Sequence, residues 1–126
     1  MFNSITIEKE VSYMGRTDIY TIQQGDRSIP ITHKVGGFMH KKEKAETKIL
    51  SQNEFHPIFD AFNNLDFTKI WKESGDFGLD GWTLTCTISN GSSKISIQLW
   101  CPSESPENPE TTKLLEACEK VFNLFD

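Results

Sequence analysis

The stretch from Trp82 to Cys101 constrains the fold more than any other part of the sequence, because it alternates almost without interruption. Apolar residues occupy every second position on both sides of Asn90-Gly91-Ser92-Ser93. This period of two predicts a pair of β-strands buried on one face, and the Asn-Gly pair predicts a chain reversal between them. The apolar positions are Trp82, Leu84, Cys86, Ile88, Ile95, Ile97, Leu99 and Cys101.

Two registers are compatible with this hairpin. A four-residue loop at 90–93 pairs Ser89 with Lys94 and Ile88 with Ile95. A two-residue turn at Asn90-Gly91 keeps the same faces and shifts the partners by two, so the alternation leaves both open.

Trp100 stands apart from its neighbours in this pattern. It falls on the polar face of the hairpin, among short side chains such as Thr83 and Thr85. Large exposed apolar surface is uncommon on monomers, and tryptophan is enriched at the centres of protein interfaces. Trp100 is therefore expected either to lie under one of the protein's own loops or to anchor a partner.

The first half of the chain predicts further strands. Residues 2–13 and 18–23 alternate, and a third run at 28–32 contains Pro30, which indicates an edge strand. Gly36-Gly37 predicts a tight hairpin turn. The charged segment 41–46 is expected to be exposed, at the tip or flank of that hairpin.

Two amphipathic helices follow from capping signals and apolar spacing. Ser51 and Glu54 form a capping-box pattern, although Pro57 requires either a kink or a helix that begins at His56. In the second helix, Asn108 is the expected cap and Pro109 the first residue. Because amphipathic helices bury their apolar stripe on a sheet, we expect an α+β fold with one antiparallel sheet of about five strands and both helices on one face.

Length and composition indicate one soluble domain covering residues 1–126. The chain is 37% hydrophobic and 25% charged, no apolar run approaches the roughly 20 residues of a membrane span, and the N-terminus reads as a strand. The three cysteines indicate reduced thiols, so the sequence predicts a cytoplasmic protein without disulfides. Residues 51–126 carry a net charge of −7 and residues 1–50 one of +2, which disfavours direct nucleic-acid binding and suits a basic protein partner.

Candidate chemistry is sparse. Cys86, Cys101 and Cys118 fall on core-facing positions, where a thiol is usually a small hydrophobe. With a two-residue turn at Gly36-Gly37, His33 and His40 face each other, but a zinc site needs three or four ligands. The sequence therefore predicts no metal, no cofactor and no catalytic residue, and it favours a binding protein over an enzyme.

A second group of residues leaves an alternative open. Asp76 and Asp80 flank Gly78 in a Gly-rich loop, where aspartate is common as a turn residue. Paired carboxylates also perform acid–base chemistry when they share a cleft. A small enzyme or ligand-binding protein with a site around His33/His40 or Asp76/Asp80 is thus one alternative, and a general interaction or scaffold domain is another.

The segment 78–82, Gly-Leu-Asp-Gly-Trp, is followed by the hairpin, by Trp100-Cys101-Pro102 and by a capped C-terminal helix. Over residues 51–126 this arrangement resembles small bacterial α+β proteins, some of which are immunity proteins encoded beside polymorphic toxins. The resemblance implies a cytoplasmic protein that binds and neutralises a cognate toxin domain, and it implies no catalytic residues. On this hypothesis an acidic surface binds a basic toxin, such as a nuclease, with Trp100 as anchor. The expected binding residues are Asp76, Asp80, Trp100, Glu104, Glu107 and Glu110.

Overall fold

The computed structural model describes residues 4–11, 15–25, 27–37, 44–70, 82–100 and 109–125, with the backbone alone for Trp100. Six strands and three helices lie in these segments. The strands are β1 Ser4–Val11, β2 Arg16–Gln23, β3 Ile29–Gly36, β4 Lys44–Leu50, β5 Trp82–Asn90 and β6 Ser93–Trp100. The helices are α1 Gln52–Asn63, α2 Phe67–Ile70 and α3 Pro109–Phe122, and a 3-10 turn follows at Asn123–Phe125.

The strands form one antiparallel sheet in the order β4-β3-β2-β1-β5-β6. The α+β class is therefore confirmed, with six strands where about five were expected and the short α2 as an additional helix. The additional strand is β4, which the sequence presented only as a charged, exposed segment. Its charges reflect its place at the edge of the sheet, where every residue of the strand except Leu50 is exposed.

The β5–β6 hairpin has the register that a loop at 90–93 predicts. Ser89 lies opposite Lys94, and Ile88 lies opposite Ile95. Asn90 also pairs with Ser93, so the turn itself is Gly91-Ser92, and Gly91 has a φ of 59°. A turn at Asn90-Gly91 is thereby excluded.

Two expectations for β3 are wrong. Pro30 does not mark an edge strand, because β3 lies between β2 and β4. Pro30 is tolerated at the start of the strand, one residue beyond the ladder with β2, which ends at Ile31. Gly36-Gly37 is not a two-residue turn either, because β3 includes Gly36 and its ladder with β4 closes at Val35 and Lys44.

Helix α1 begins as its capping box predicts. The Ser51 side chain accepts a hydrogen bond from the Glu54 N–H at 3.2 Å, and Glu54 Oε1 accepts one from the Ser51 N–H at 3.0 Å. Pro57 consequently lies inside the helix, which excludes a start at His56. The helix is capped at its C-terminal end by Asn64.

The core lies between one face of the sheet and the helices. Alternate residues of the strands point into it, among them Ile5, Ile7, Ile22 and Ile31. On the helix side of the core, α1 contributes residues such as Phe55 and Phe62, and α3 contributes the residues Leu114, Ala117, Cys118 and Val121. None of the described helices has the length and apolarity that crossing a membrane requires.

Candidate functional site

The two ends of the β5–β6 hairpin differ in what they connect. Thr83 lies opposite Trp100, so β5 begins and β6 ends at the same end of the hairpin. The acidic segments attach there: Asp80 precedes Trp82 by two residues, and Glu104 follows Trp100 by four. Asp76, Asp80, Glu104 and Glu107 lie outside the described residues, as does the Trp100 side chain, so their predicted binding roles stay predictions.

Glu110 is the one acidic residue of the predicted site that the structure describes, and it has internal contacts. Its Oε2 atom accepts a hydrogen bond from the Asp66 N–H at 3.0 Å, and its Oε1 atom accepts one from Lys113 at 3.0 Å. These bonds, led by that from the Asp66 backbone, lower the pKa of the Glu110 carboxyl below its usual value. Glu110 therefore joins the start of α3 to the start of α2.

These contacts also locate Glu110 relative to the hairpin. Phe67, which follows Asp66, lines a cavity with Asn90 and Ser93 at the turn end of the hairpin. The other end of α3 carries Phe122, which lies near Lys9 on the side of Trp82. Helix α3 thus runs from the turn end of the hairpin towards the end at which β5 begins and β6 ends. Glu110 therefore lies away from that second end, to which Asp80 and Glu104 are nearest in sequence.

A cluster of polar side chains occupies the helix-facing side of β2 and β3. The guanidinium of Arg16 forms a fork on Asp18, with Nε 2.9 Å from Oδ2 and Nη2 3.0 Å from Oδ1. His33 reaches the same carboxylate, with Nε2 2.8 Å from Oδ1. Asp18 is 7% exposed and the Arg16 side chain is 37% exposed, so a buried carboxylate is compensated by a partly exposed guanidinium.

Aromatic rings surround this aspartate cluster. The ring of His33 stacks on Tyr20 with centroids 4.2 Å apart and planes 5° from parallel. Phe125 packs against both, at 5.2 Å from His33 and 5.9 Å from Tyr20. The C-terminal 3-10 turn therefore covers the imidazole, and Lys48 fixes that turn by donating a hydrogen bond to the Leu124 carbonyl at 2.6 Å.

The charges of the aspartate cluster set its protonation. Burial alone would raise the pKa of Asp18, but the hydrogen bonds from Arg16 and His33 and their charges outweigh it, so that the pKa lies below its usual value. The hydrogen bond to Asp18 in turn raises the pKa of Arg16. Asp18 is consequently an ionised hydrogen-bond acceptor at neutral pH.

A cavity of about 340 Å³ opens beside this cluster. Arg16, Asp18 and Tyr20 form part of its wall, and Lys9 and Glu119 add one charge of each sign. The Lys9 ammonium lies 5.0 Å from the ring centroid of Trp82 and 5.7 Å from that of Phe122. Such a mixed lining suits a polar ligand that also carries an apolar or aromatic part.

The register between β3 and β4 overturns the predicted pairing of His33 with His40. His33 lies opposite Glu46, so the expected opposition of His33 and His40 is wrong. His40 is outside the described residues. Across the parts of the chain that the structure describes, no group of three or more histidine, cysteine or acidic side chains is arranged to hold a metal ion.

The two described cysteines are core residues. Cys86 on β5 and Cys118 on α3 are both buried and unoxidised. A hydrogen bond with Cys86, together with burial, raises the pKa of the Cys118 thiol well above its usual value. A thiol held in this protonated form is a poor nucleophile. Cys101 is outside the described residues.

The sheet face opposite the helices, which we call the outer face, carries an unbroken row of hydroxyl groups. One hydroxyl residue comes from each strand, and each lies opposite the next: Thr47, Thr32, Thr21, Thr6, Thr87 and Ser96. Hydroxyl oxygens approach to 3.2 Å between Thr32 and Thr47 and to 3.1 Å between Thr87 and Ser96. The backbone of Trp100 borders this face, opposite Thr83.

The aspartate cluster was missed in the sequence, although one signal pointed to it. Arg16 and Asp18 share their alternation with the core residues Tyr20 and Ile22, which places two opposite charges on the apolar face of a strand. Buried charges are normally paired. Their partner His33 depends on the β2–β3 register, which alternation leaves open.

Comparison of the sequence with protein-family models and with curated proteins gives no match.

Proposed function

We propose that the protein is an immunity-type binding protein, which neutralises a cognate bacterial toxin domain in the cytoplasm through an acidic surface. The observation that carries the proposal is the pairing of Thr83 with Trp100. Because of it, the segments that contain Asp76, Asp80, Glu104 and Glu107 attach to one end of one hairpin. Asp80 and Glu104 lie two and four residues from that end in sequence, and together with Asp76 and Glu107 they supply an acidic recognition element for a basic partner.

The charge distribution supports the same proposal. Residues 51–126 carry a net charge of −7, and a field of one sign accelerates encounter with a partner of the opposite sign. Such a surface suits a toxin domain that binds nucleic acid, since that domain must itself be basic. Trp100 supplies the aromatic anchor, and Glu110 supports the start of α3.

Rescue of cells from the toxin tests the proposal. A toxin domain encoded beside this gene is expressed with the wild-type protein, with Asp76→Asn/Asp80→Asn, or with Glu104→Gln/Glu107→Gln. Wild type is expected to restore growth and each double variant to restore it less. The matched control is Asp60→Asn/Glu116→Gln, which removes two exposed charges from α1 and α3. Flanking genes without a toxin, or equal rescue by all variants, would contradict the proposal.

A second candidate function rests on the cavity at the aspartate cluster. Its volume of about 340 Å³ lies within the range of small-ligand sites, and Lys9, Arg16, Asp18 and Glu119 supply charges of both signs. On this alternative the protein binds a small zwitterionic molecule. A thermal-shift screen with free amino acids tests this alternative. A ligand that raises the melting temperature of wild type but not of Lys9→Gln would support it. The absence of any stabilising ligand in the set would contradict it.

A further inference from the structure

The dipeptide Asn90-Gly91 at the tip of the β5–β6 hairpin differs chemically from the other asparagine positions of the chain. Asn90 is the one asparagine in the sequence that is followed by glycine. The side-chain amide carbon of an asparagine closes a cyclic imide when the backbone nitrogen of the next residue attacks it, and a side chain on that next residue obstructs the approach. Glycine has no side chain, so the Gly91 nitrogen is sterically accessible.

The turn leaves both reacting groups open to water. Asn90, Gly91 and Ser92 are exposed, and the space that a Cβ of Gly91 would occupy is empty. Asn90 and Ser93 close the turn, and the closing pair of a two-residue hairpin bonds to itself, so the Gly91 N–H has no partner in the ladder. No other acceptor for this N–H lies among the residues that the structure describes.

Three other exposed asparagines lack this combination: Asn53, Asn63 and Asn64. After each of them, the N–H of the next residue donates a hydrogen bond, at 3.2, 3.1 and 3.3 Å respectively, to an acceptor in or beside α1. The acceptors are Ser51, Asp60 and Phe62. A nitrogen engaged in this way must lose its hydrogen bond before it can attack, whereas the Gly91 nitrogen need not.

We propose that Asn90 is a site of spontaneous covalent modification, at which the Gly91 nitrogen attacks the side-chain amide of Asn90. The new bond joins that nitrogen to Cγ, and the amide nitrogen leaves as ammonia with the proton from Gly91, which yields a cyclic imide. Water then opens the imide. Cleavage of the bond to Cγ gives aspartate, and cleavage of the bond to the backbone carbonyl carbon gives isoaspartate. Water is the co-reactant, and no oxidation state changes.

The position of the pair in the ladder permits the motion that this reaction needs. The Asn90 backbone must rotate to bring Cγ to the nitrogen, which opens the pair with Ser93. That pair is the last of the β5–β6 ladder and adjoins the exposed turn, and such terminal pairs open locally at a small fraction of the free energy of global unfolding. An asparagine at an interior pair, such as that of Cys86 with Ile97, would not have this freedom.

The modification changes both the charge and the backbone of the hairpin. Either product is one unit more negative than the −5 of the unmodified chain, and its carboxylate shares a cavity of about 250 Å³ with Lys94. In isoaspartate the main chain passes through the side chain of residue 90, which adds a methylene group to the backbone and disrupts the pairing with Ser93. The reaction therefore marks aged molecules with a loosened hairpin tip, and it does not require the toxin-binding function.

Timed incubation of the purified, folded protein at mildly alkaline pH tests the proposal, with peptide mass spectrometry that distinguishes aspartate from isoaspartate. Asn90 is expected to be converted several-fold faster than Asn53, Asn63 or Asn64 in the same sample, and to give both products. Anion-exchange chromatography should show a more acidic species that grows in step with them.

Two variants separate the reaction at Asn90 from other changes. Asn90→Gln has a longer side chain that must close a larger ring, so its isoaspartate content should fall several-fold below that of wild type. Asn64→Gln is the matched control and should age like wild type, and circular dichroism confirms that both are folded. Conversion of Asn90 no faster than that of the other three asparagines, aspartate without isoaspartate, or an undiminished isoaspartate content in Asn90→Gln would each overturn the proposal.

Discussion

The Nε2 atom of His33 lies 2.8 Å from Oδ1 of Asp18, so an imidazole on β3 and a carboxylate on β2 share one hydrogen bond in a largely buried position. Arg16 binds the same carboxylate through two further contacts. The pair therefore joins two neighbouring strands on the helix-facing side of the sheet. Removing the carboxylate of Asp18 leaves the side chains of Arg16 and His33 without the acceptor of their hydrogen bonds.

Asp18→Asn is expected to lower the free energy of unfolding at neutral pH by about 2 kcal/mol, because charge-assisted bonds of this kind contribute more than neutral ones. Urea unfolding measures the change. Asp60→Asn, at an exposed position of α1, is the control and should remain within about 0.5 kcal/mol of wild type. An Asp18→Asn variant as stable as the control would contradict the assigned role.

The same comparison has a defined pH dependence. The pKa of Asp18 is lowered in the folded state, so its stabilising contribution is present above the unfolded-state pKa of about 4 and is lost as pH falls through the folded-state value. The stability difference between wild type and Asp18→Asn should therefore shrink in acid. A difference that stays constant as pH falls from neutral into acid, with no decline before wild type unfolds, would show that the charge of Asp18 is not responsible.

Two adjacent glycines are expected to respond oppositely to alanine. Gly37 has a φ of 121°, and an added Cβ would collide with the Gly15 carbonyl oxygen, so Gly37→Ala should lose at least about 2 kcal/mol of stability. Gly36 has open space at its Cβ position, and Gly36→Ala should be neutral or stabilising by up to about 1 kcal/mol. Thermal unfolding measures the stability of both variants. Equal losses of stability in Gly36→Ala and Gly37→Ala would contradict the described backbone conformation of these two glycines.

Thr111 in the first turn of α3 is 2% exposed, and its buried hydroxyl has no hydrogen-bond partner among the residues that the structure describes. Thr111→Val keeps the shape and removes the polar group, so the free energy of unfolding is expected to rise by about 1 kcal/mol. Thr112→Val, one position along the same helix, is the control and should show no gain. A loss of stability in Thr111→Val would indicate that the hydroxyl is satisfied in solution.

The sequence predicted those elements whose signals are local. Strict alternation on both sides of one short turn predicted the faces of β5 and β6 but left two registers open, and the capping box of Ser51 and Glu54 predicted one of the two possible starts of α1. The β3–β4 register could not be predicted in this way. Moving the partner of His33 from His40 to Glu46 leaves the same set of residues on each face, so the hydrophobic pattern does not distinguish the two registers.

The candidate site was harder to predict because it is non-local. Asp18 and His33 meet only after β2 and β3 pair, and Phe125 reaches His33 only after α3 packs across the sheet. The sequence did predict that both acidic segments attach to the same end of one hairpin, since Trp82 and Trp100 delimit that hairpin. The position of Glu110 could not be predicted from the sequence, because it depends on the contact of α3 with Asp66.

The most direct test of the proposed function is the association rate between the purified protein and the toxin domain encoded beside its gene, measured by stopped-flow fluorescence at increasing salt. We expect rapid association whose rate falls with salt. In a variant with Asp76, Asp80, Glu104 and Glu107 all neutralised, the rate should be lower by about tenfold or more. Asp60→Asn/Glu116→Gln should leave the rate unchanged. No association, or a rate indifferent to both salt and the four carboxylates, would contradict the account.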